Sequence, residues 1–476
     1  MSLPPSRLKL NLVVLYGAEA VSKVLGLAVF GYLGRTLARG RYGDLEFAIG
    51  VLSLLNLVQD AGLPSYAARE NARDPSLARG LAGQVFVIRA GILGLSLVVL
   101  SVTAWLSRGD PTARTLLLLY GLVLMPTPFD LGWSFQARDD MRVVAISSVL
   151  RQIVLAGGTF ALVHGPQDVT RVPILDATGL SLAVLLQQII FRRREGGIEI
   201  SKHLAGVGRV LRECLPIAGS AVVWALRLYS PLLALGVFTT SEQTGVFAAS
   251  HRLVVSLHTF VWLYFFNLLP SISRVAVIEE RAAYRRLITA SFTLVSWVVL
   301  LGASLGTVLA PALIPLVYGP GLAAASGPFA VMVWMLAAAF LSGHHRFSLI
   351  AWKHQTHEFW AAAIGALVSL AGSAILGHAL TPASAALVFV CAEVTTLICA
   401  HLMLANTVEA LPLLALLGAP LLCTALALGT TRTLHMSPWP SALATLLVFG
   451  VVALSRWSAL RTSFADLQVA VRGRKA

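Results

Sequence analysis

Charge is what this chain of 476 residues has least of. Asp, Glu, Lys and Arg together make up 12% of it, about half the roughly 25% of a soluble domain. Acids are scarcer than bases, 22 against 36. So few ionic groups cannot cover a water-facing surface of this size. With 57% hydrophobic residues and a mean hydropathy of +0.79, the chain belongs in lipid. Cysteine is sparse too: Cys214, Cys391, Cys399 and Cys423 form no CxxC pair, which excludes a zinc ribbon or disulfide framework as the basis of the fold. They read as small hydrophobes. No Walker A pattern occurs, so direct drive by ATP has no support, and no cofactor is expected.

What is present is a succession of apolar segments. Fourteen of them approach or exceed the ~20 residues that cross ~30 Å of hydrocarbon, from a first span at 11–34 to a last at 439–457. The first is too long for a signal-peptide core and is read as a retained span. Basic residues test the count, because Lys and Arg accumulate in cytoplasmic loops. With the N-terminus inside, 24 bases fall on the cytoplasmic side and seven on the outer side. One missed helix would scramble that bias, so the expectation is an all-α polytopic membrane protein of about 14 transmembrane helices with both termini cytoplasmic. The net charge of +14 is then a topology signal at span ends, and nucleic acid is not needed to explain it. The outer loops, at about 10 residues or fewer, leave no room for the carboxylate-bearing loop of a membrane glycosyltransferase or polymerase. An enzyme is the weaker expectation.

The longest polar connection, opening with Arg192-Arg193-Arg194-Glu195-Gly196-Gly197, separates six spans from eight. The halves open alike. A helix begins at Gly43 and ends on Arg69 in the first half, and another begins at Gly245 and ends on Arg274 in the second. The organisation read from this is a short N-terminus at 1–10, a six-helix half at 11–191 and a cytoplasmic linker at 192–211. A second six-helix half at 212–405, two additional helices at 406–457 and a basic tail at 458–476 complete it. Repeated halves are the usual build of secondary transporters.

Several segments resemble one family. Gly34-Arg35-Thr36-Leu37 through Arg41-Tyr42-Gly43-Asp44-Leu45 is similar to the first outer loop of the polysaccharide exporters of the MATE-like (MOP) superfamily, and Gln59-Asp60-Ala61-Gly62-Leu63 leading to Arg69-Glu70 resembles the inner end of their second span. Thr244-Gly245-Val246-Phe247-Ala248-Ala249 and Leu269-Pro270-Ser271-Ile272-Ser273-Arg274 are similar to the eighth span, and Leu316-Val317-Tyr318-Gly319-Pro320 to the loop between the ninth and tenth. The resemblance implies a Wzx-type flippase for polyprenyl-pyrophosphate-linked oligosaccharide in the cell inner membrane, working by alternating access. Membrane lipids and the polysaccharide polymerase machinery are the partners it implies. It departs from the pattern in the seventh span, where many relatives carry an acid and this chain has Arg227.

Five bases lie inside the spans: Lys23, Arg89, Arg151, Arg227 and Arg252. Each would cost about 2.5–3.5 kcal/mol facing lipid, so an aqueous central cavity or a partner is expected for them. Arg and Lys both suit a pyrophosphate headgroup. On the eighth span Arg252, Ser256 and Thr259 share a face with His251 and His258 beside it, the best candidate for cavity lining. Alternatives stay open: Lys23 has Glu19 one turn back and can pair internally, and Arg89 and Arg151 can snorkel toward an interface. Glu393, deep in the twelfth span, is either an ion-coupling site for a proton or sodium or a carboxyl hydrogen-bonded between helices. His344, His345, His354 and His357 are read as a solvated cytoplasmic loop in preference to a metal site. Counting the five bases against Glu19 and Glu393 leaves a positive cavity, which favours an anionic lipid over the cationic cargo of a multidrug exporter.

Overall fold

In hydrocarbon every backbone N–H and C=O needs a partner within the protein, and apolar stretches of this length satisfy that only as helices. The computed structural model describes residues 5–106, 111–199, 204–277 and 280–472. Among them, the first unit in chain order contains α1 (Pro5–Thr36), α2 (Arg39–Asp60), α3 (Leu63–Arg73), α4 (Ala78–Leu106), α5 (Pro111–Leu124), α6 (Gly132–Ala137), α7 (Met141–Leu162) and α8 (Arg171–Glu195). There follow α9 (Leu204–Phe238), α10 (Ser241–Val277), α11 (Arg281–Tyr318), α12 (Ser326–Ala351), α13 (Gln355–Leu376) and α14 (Pro382–Thr407), then α15 (Leu413–Thr433), α16 (Pro438–Ser455) and α17 (Trp457–Arg472). Among the described residues there are no strands. Among the described residues thirteen spans are long and apolar enough to cross a membrane, and the 32-residue α1 precedes them as a further helix of spanning length. The chain is a multi-pass membrane protein.

Two spans that hydropathy reads as continuous are broken. The 43–67 span divides between α2 and α3 at Ala61 and Gly62, whose φ angles of 42° and 75° are left-handed. The 116–135 span divides between α5 and α6 at Pro126-Thr127-Pro128, where a proline cannot donate to the helix ladder. Apolar composition is indifferent to both interruptions, which is why a hydropathy count passes over them. Side chains satisfy the freed backbone. Leu131 N donates to Gln187 Oε1 at 2.8 Å, Gln188 Nε2 donates to Phe129 O at 2.5 Å, and Gly132 N donates to Asp130 Oδ1 at 3.0 Å.

The chain divides into two compact units, Met1–Ala225 with Thr240–Gly245, and Leu226–Thr239 with Val246–Ala476. In the first, α7 packs between α1 and α8, and α5 packs against α2, α4 and α8. Gly43 lies directly against the Ser241 backbone, so close that a Cβ there would stand 2.7 Å from Gly245 N, while Ser241 Oγ donates to Asp44 Oδ1 at 2.5 Å. In the second unit α12 is central, packed on α11 and α14, with α13 on α14. The two additional helices pack on α11 and on each other: Cys423 of α15 and Phe449 of α16 join Leu300, Ala303, Val333 and Ala337 in one apolar cluster.

The segment expected as a basic tail forms α17, which lies along α11. Its Leu467 completes an apolar groove of about 430 Å³ with Phe260, Leu263, Tyr264 and Phe340, and its Ser463 and Asp466 face Arg285 and Arg286. Trp457, Phe464 and Val469 remain exposed, as befits a helix lying in a membrane interface.

Candidate functional site

The second unit holds a buried polar cluster assembled from five helices. Arg227 of α9 is 3% exposed and Glu393 of α14 is 1% exposed, with Arg227 Nε 3.3 Å from Glu393 Oε2. Arg227 Nη1 donates to Thr396 Oγ1 at 3.1 Å, one turn beyond the glutamate on the same helix. Ser342 of α12 donates to Glu393 Oε1 at 2.7 Å, and Ser369 of α13 donates to the backbone oxygen of Arg227 at 3.0 Å. His258 of α10 is buried, and the charges that act on it are Glu393, Arg227 and Arg346. The ion pair is incompletely bonded: neither Arg227 Nε nor Glu393 Oε2 has a hydrogen-bond partner, because their separation is ionic without donor alignment. A salt bridge in this setting holds its charges at a cost and has bonding capacity left over.

Of the other candidates, Arg252 sits on α10 half-buried, its backbone oxygen accepting from Ser256 at 2.7 Å. Lys23 is on an exposed face of α1, and the Glu19 side chain expected beside it lies outside the described residues. Arg89 and Arg151 belong to the first unit, in separate ion pairs. Arg151 Nε donates to Asp176 Oδ1 at 3.0 Å, from α7 to α8. Arg89, on α4, is 2% exposed and lies between the two broken spans. Its Nη2 donates to Asp60 Oδ1 at 2.6 Å, and its Nη1 donates to Thr127 O at 3.0 Å and Asp130 O at 3.4 Å. Snorkelling is therefore corrected for Arg89: the helix breaks release carbonyls that bind the guanidinium in place.

Two further expectations change. The charge tally omitted Asp60 and Asp176, which lie near the ends of their spans in the sequence; counted with Glu19 and Glu393 they reduce the surplus over the five bases to one. A one-dimensional reading finds only i±4 partners, and these pairs span different helices. His344 and His345 are not in a loop. Both are fully buried on α12, bonded to backbone carbonyls one turn back, because the helix runs on through Arg346, whose charge is met by Glu358 of α13 at 2.8 Å. The partners missed from sequence, Ser342, Ser369 and Thr396, are small hydroxyl residues that carry no signal on their own. The run Ser342-Gly343-His344-His345 inside an apolar span was the available clue. Among the described residues no group of three or more His, Cys, Asp or Glu is placed to hold a metal ion.

Residues 8–276 match the sequence model of a polysaccharide biosynthesis protein family, more than half of the chain. The chain belongs to that family. Its fold is the one seen in MurJ and in MATE transporters. It superposes on a lipid II flippase, MurJ, in an inward closed conformation with a TM-score of 0.71 at 13% identity, over 94% of this chain and 100% of that one. A multidrug resistance MATE family transporter in an inward-facing conformation gives 0.62 at 15% identity, over 80% and 93%. A MATE protein in a straight conformation gives 0.52 at 13%, over 83% and 94%. No curated protein sequence matches the chain. At these identities the likeness establishes architecture, and the family membership rests on the sequence match.

Proposed function

We propose that this protein is a flippase that carries polyprenyl-pyrophosphate-linked oligosaccharide across the cell inner membrane by alternating access, supplying cell-surface polysaccharide synthesis. It acts as a transporter and forms no covalent bond with its cargo. The observation that carries the reading is the Arg227–Glu393 pair with its unused bonding capacity. When Glu393 takes up a proton or is masked by a cation, the Arg227 guanidinium is left with a neutral partner and a planar set of donors suited to phosphate oxygens. Arg252 and His258 on α10 would add donors to the same headgroup. The polymerase machinery and surrounding lipids are the partners of such a flippase.

A cationic-drug exporter is the second reading, favoured by one observation: pairing of Arg89, Arg151 and Arg227 with carboxylates removes most of the positive surplus that would repel a cation. Deletion of the gene followed by extraction of lipid-linked sugars separates the two. Accumulation of the lipid-linked glycan at the cytoplasmic face with loss of surface polysaccharide is the expected outcome. Unchanged glycans with new sensitivity to cationic drugs would overturn the flippase.

A further inference from the structure

His344 and His345 are neighbours on α12, both fully buried, and neither bonds to the Arg227 cluster. In each, Nδ1 faces a backbone oxygen of the preceding turn, Phe340 O at 2.9 Å and Leu341 O at 3.1 Å. A carbonyl can only accept. Both Nδ1 atoms therefore carry hydrogen, and in the neutral rings both Nε2 atoms are acceptors.

The two acceptors meet different donors. His344 Nε2 lies 2.9 Å from Ser291 Oγ, which lies 2.6 Å from Tyr264 Oη beside the apolar groove. That hydroxyl chain ends at a groove whose lining offers no titratable group beyond Tyr264 itself to supply a proton, so His344 is a neutral structural group. His345 Nε2 lies 3.2 Å from His401 Nδ1 on α14, the rings crossing at 84°. For that bond to form, His401 must carry hydrogen on Nδ1, which makes its Nε2 the basic atom. His401 is partly exposed, while His345 is sealed behind it.

We propose that His345 and His401 together bind one proton. It is taken from water on Nε2 of His401, and the imidazolium so formed is held by donation from its Nδ1 to the fixed acceptor of His345. Nothing else is made or broken. The charged form of His345 is acted on by His401 and by His344 on α12; farther off, Tyr264 of α10 stands behind Ser291 of α11 on the His344 side, Arg346 follows His345 in α12 paired with Glu358 of α13, and Glu393 lies two turns back on α14. From α11 the Phe292 ring faces His345 at 5.9 Å. Glu393 lies eight residues before His401, about 12 Å along the helix, which puts the pair between the helix end and the buried carboxylate. Proton binding stands on this geometry alone; its service as the coupling ion rests on the transport reading.

The test is a proton count on the purified full-length protein in detergent, acidified from about pH 8 to about pH 5.5, the range in which imidazole titrates. Uptake is read with a soluble indicator dye. The wild type should take up one proton per chain more than His345→Gln/His401→Gln. The single variant His401→Gln, altered at the partly exposed end and leaving the sealed ring in place, should lose the same one proton. No difference between wild type and the double variant would overturn the site, as both rings then stay neutral. A difference of two would overturn sharing. Because no cargo is present, the count is independent of the glycan-export experiment: normal export in the His401→Gln strain would leave the proton site standing and remove only its coupling role.

Discussion

Arg227 Nε stands 3.3 Å from Glu393 Oε2 inside the second unit, each side chain almost wholly shielded, yet neither atom completes a hydrogen bond with the other. Removal of one member leaves a charge buried alone, which typically costs about 3–5 kcal/mol, whereas replacing both by apolar residues of similar volume is often neutral. Arg227→Ala and Glu393→Ala should each lower the melting temperature in detergent more than Arg227→Met/Glu393→Leu does. All three should abolish glycan export, which separates the stability role from the transport role. Equal melting temperatures for single and double variants would contradict the pairing.

Arg89 supports two helix breaks at once. Arg89→Gln should lose roughly 3 kcal/mol of stability by breaking the ion pair with Asp60, removing the guanidinium from the Asp130 carbonyl and leaving Thr127 O with the Asp130 N–H alone. Asp60 is 57% exposed, so Asp60→Asn should cost much less. Thermal melting of the two purified variants compares them directly, and a larger loss for Asp60→Asn would refute the anchoring role.

The number of helices and the class of protein were legible because a bilayer turns length and apolarity into structure almost directly. The partners of the buried arginines were not: Glu393 is 166 positions from Arg227, and only three-dimensional packing joins them. The histidine pair failed for a different reason. Adjacent His344 and His345 followed by Arg346 look like a solvated run, and nothing in a linear pattern reveals that Glu358 neutralises the arginine while carbonyls of the preceding turn occupy the imidazoles.

Gly43 and Gly245, which sequence marked only as matching helix starts, lie against one another's backbone. Gly43→Ala should therefore force the Ser241–Gly245 segment away and lose about 1–3 kcal/mol, the usual range for overpacking. Reduced yield and a lower melting temperature are expected. An unchanged melting temperature would show that the segment yields freely.

Asp74 lies outside the membrane spans and gives a prediction in pH. Its carboxylate accepts from Ser76 N at 3.0 Å and Ser76 Oγ at 2.6 Å, capping the turn at Pro75–Leu77, and these bonds hold its pKa below the ordinary 3.8. A lowered folded value means the cap contributes fully above 3.8 and is lost as the pH falls through the folded value. Hydrogen exchange of the 74–80 segment should be faster in Asp74→Ala than in wild type near neutral pH. The two should converge in strong acid, and a gap that persists there would exclude the carboxylate as its source.

The broken spans also constrain how the chain is built. Arg89 leaves the ribosome before Thr127 and Asp130, so α4 meets the translocon carrying a cation whose carbonyl partners have not been synthesised, a penalty of about 2.5–3.5 kcal/mol at a helix centre. Its earlier partner, Asp60, is already in place. α4 is the most apolar of the described spans, with a mean hydropathy of 2.4, so it can enter lipid with that penalty outstanding, and the guanidinium is secured only when α5 and its break arrive.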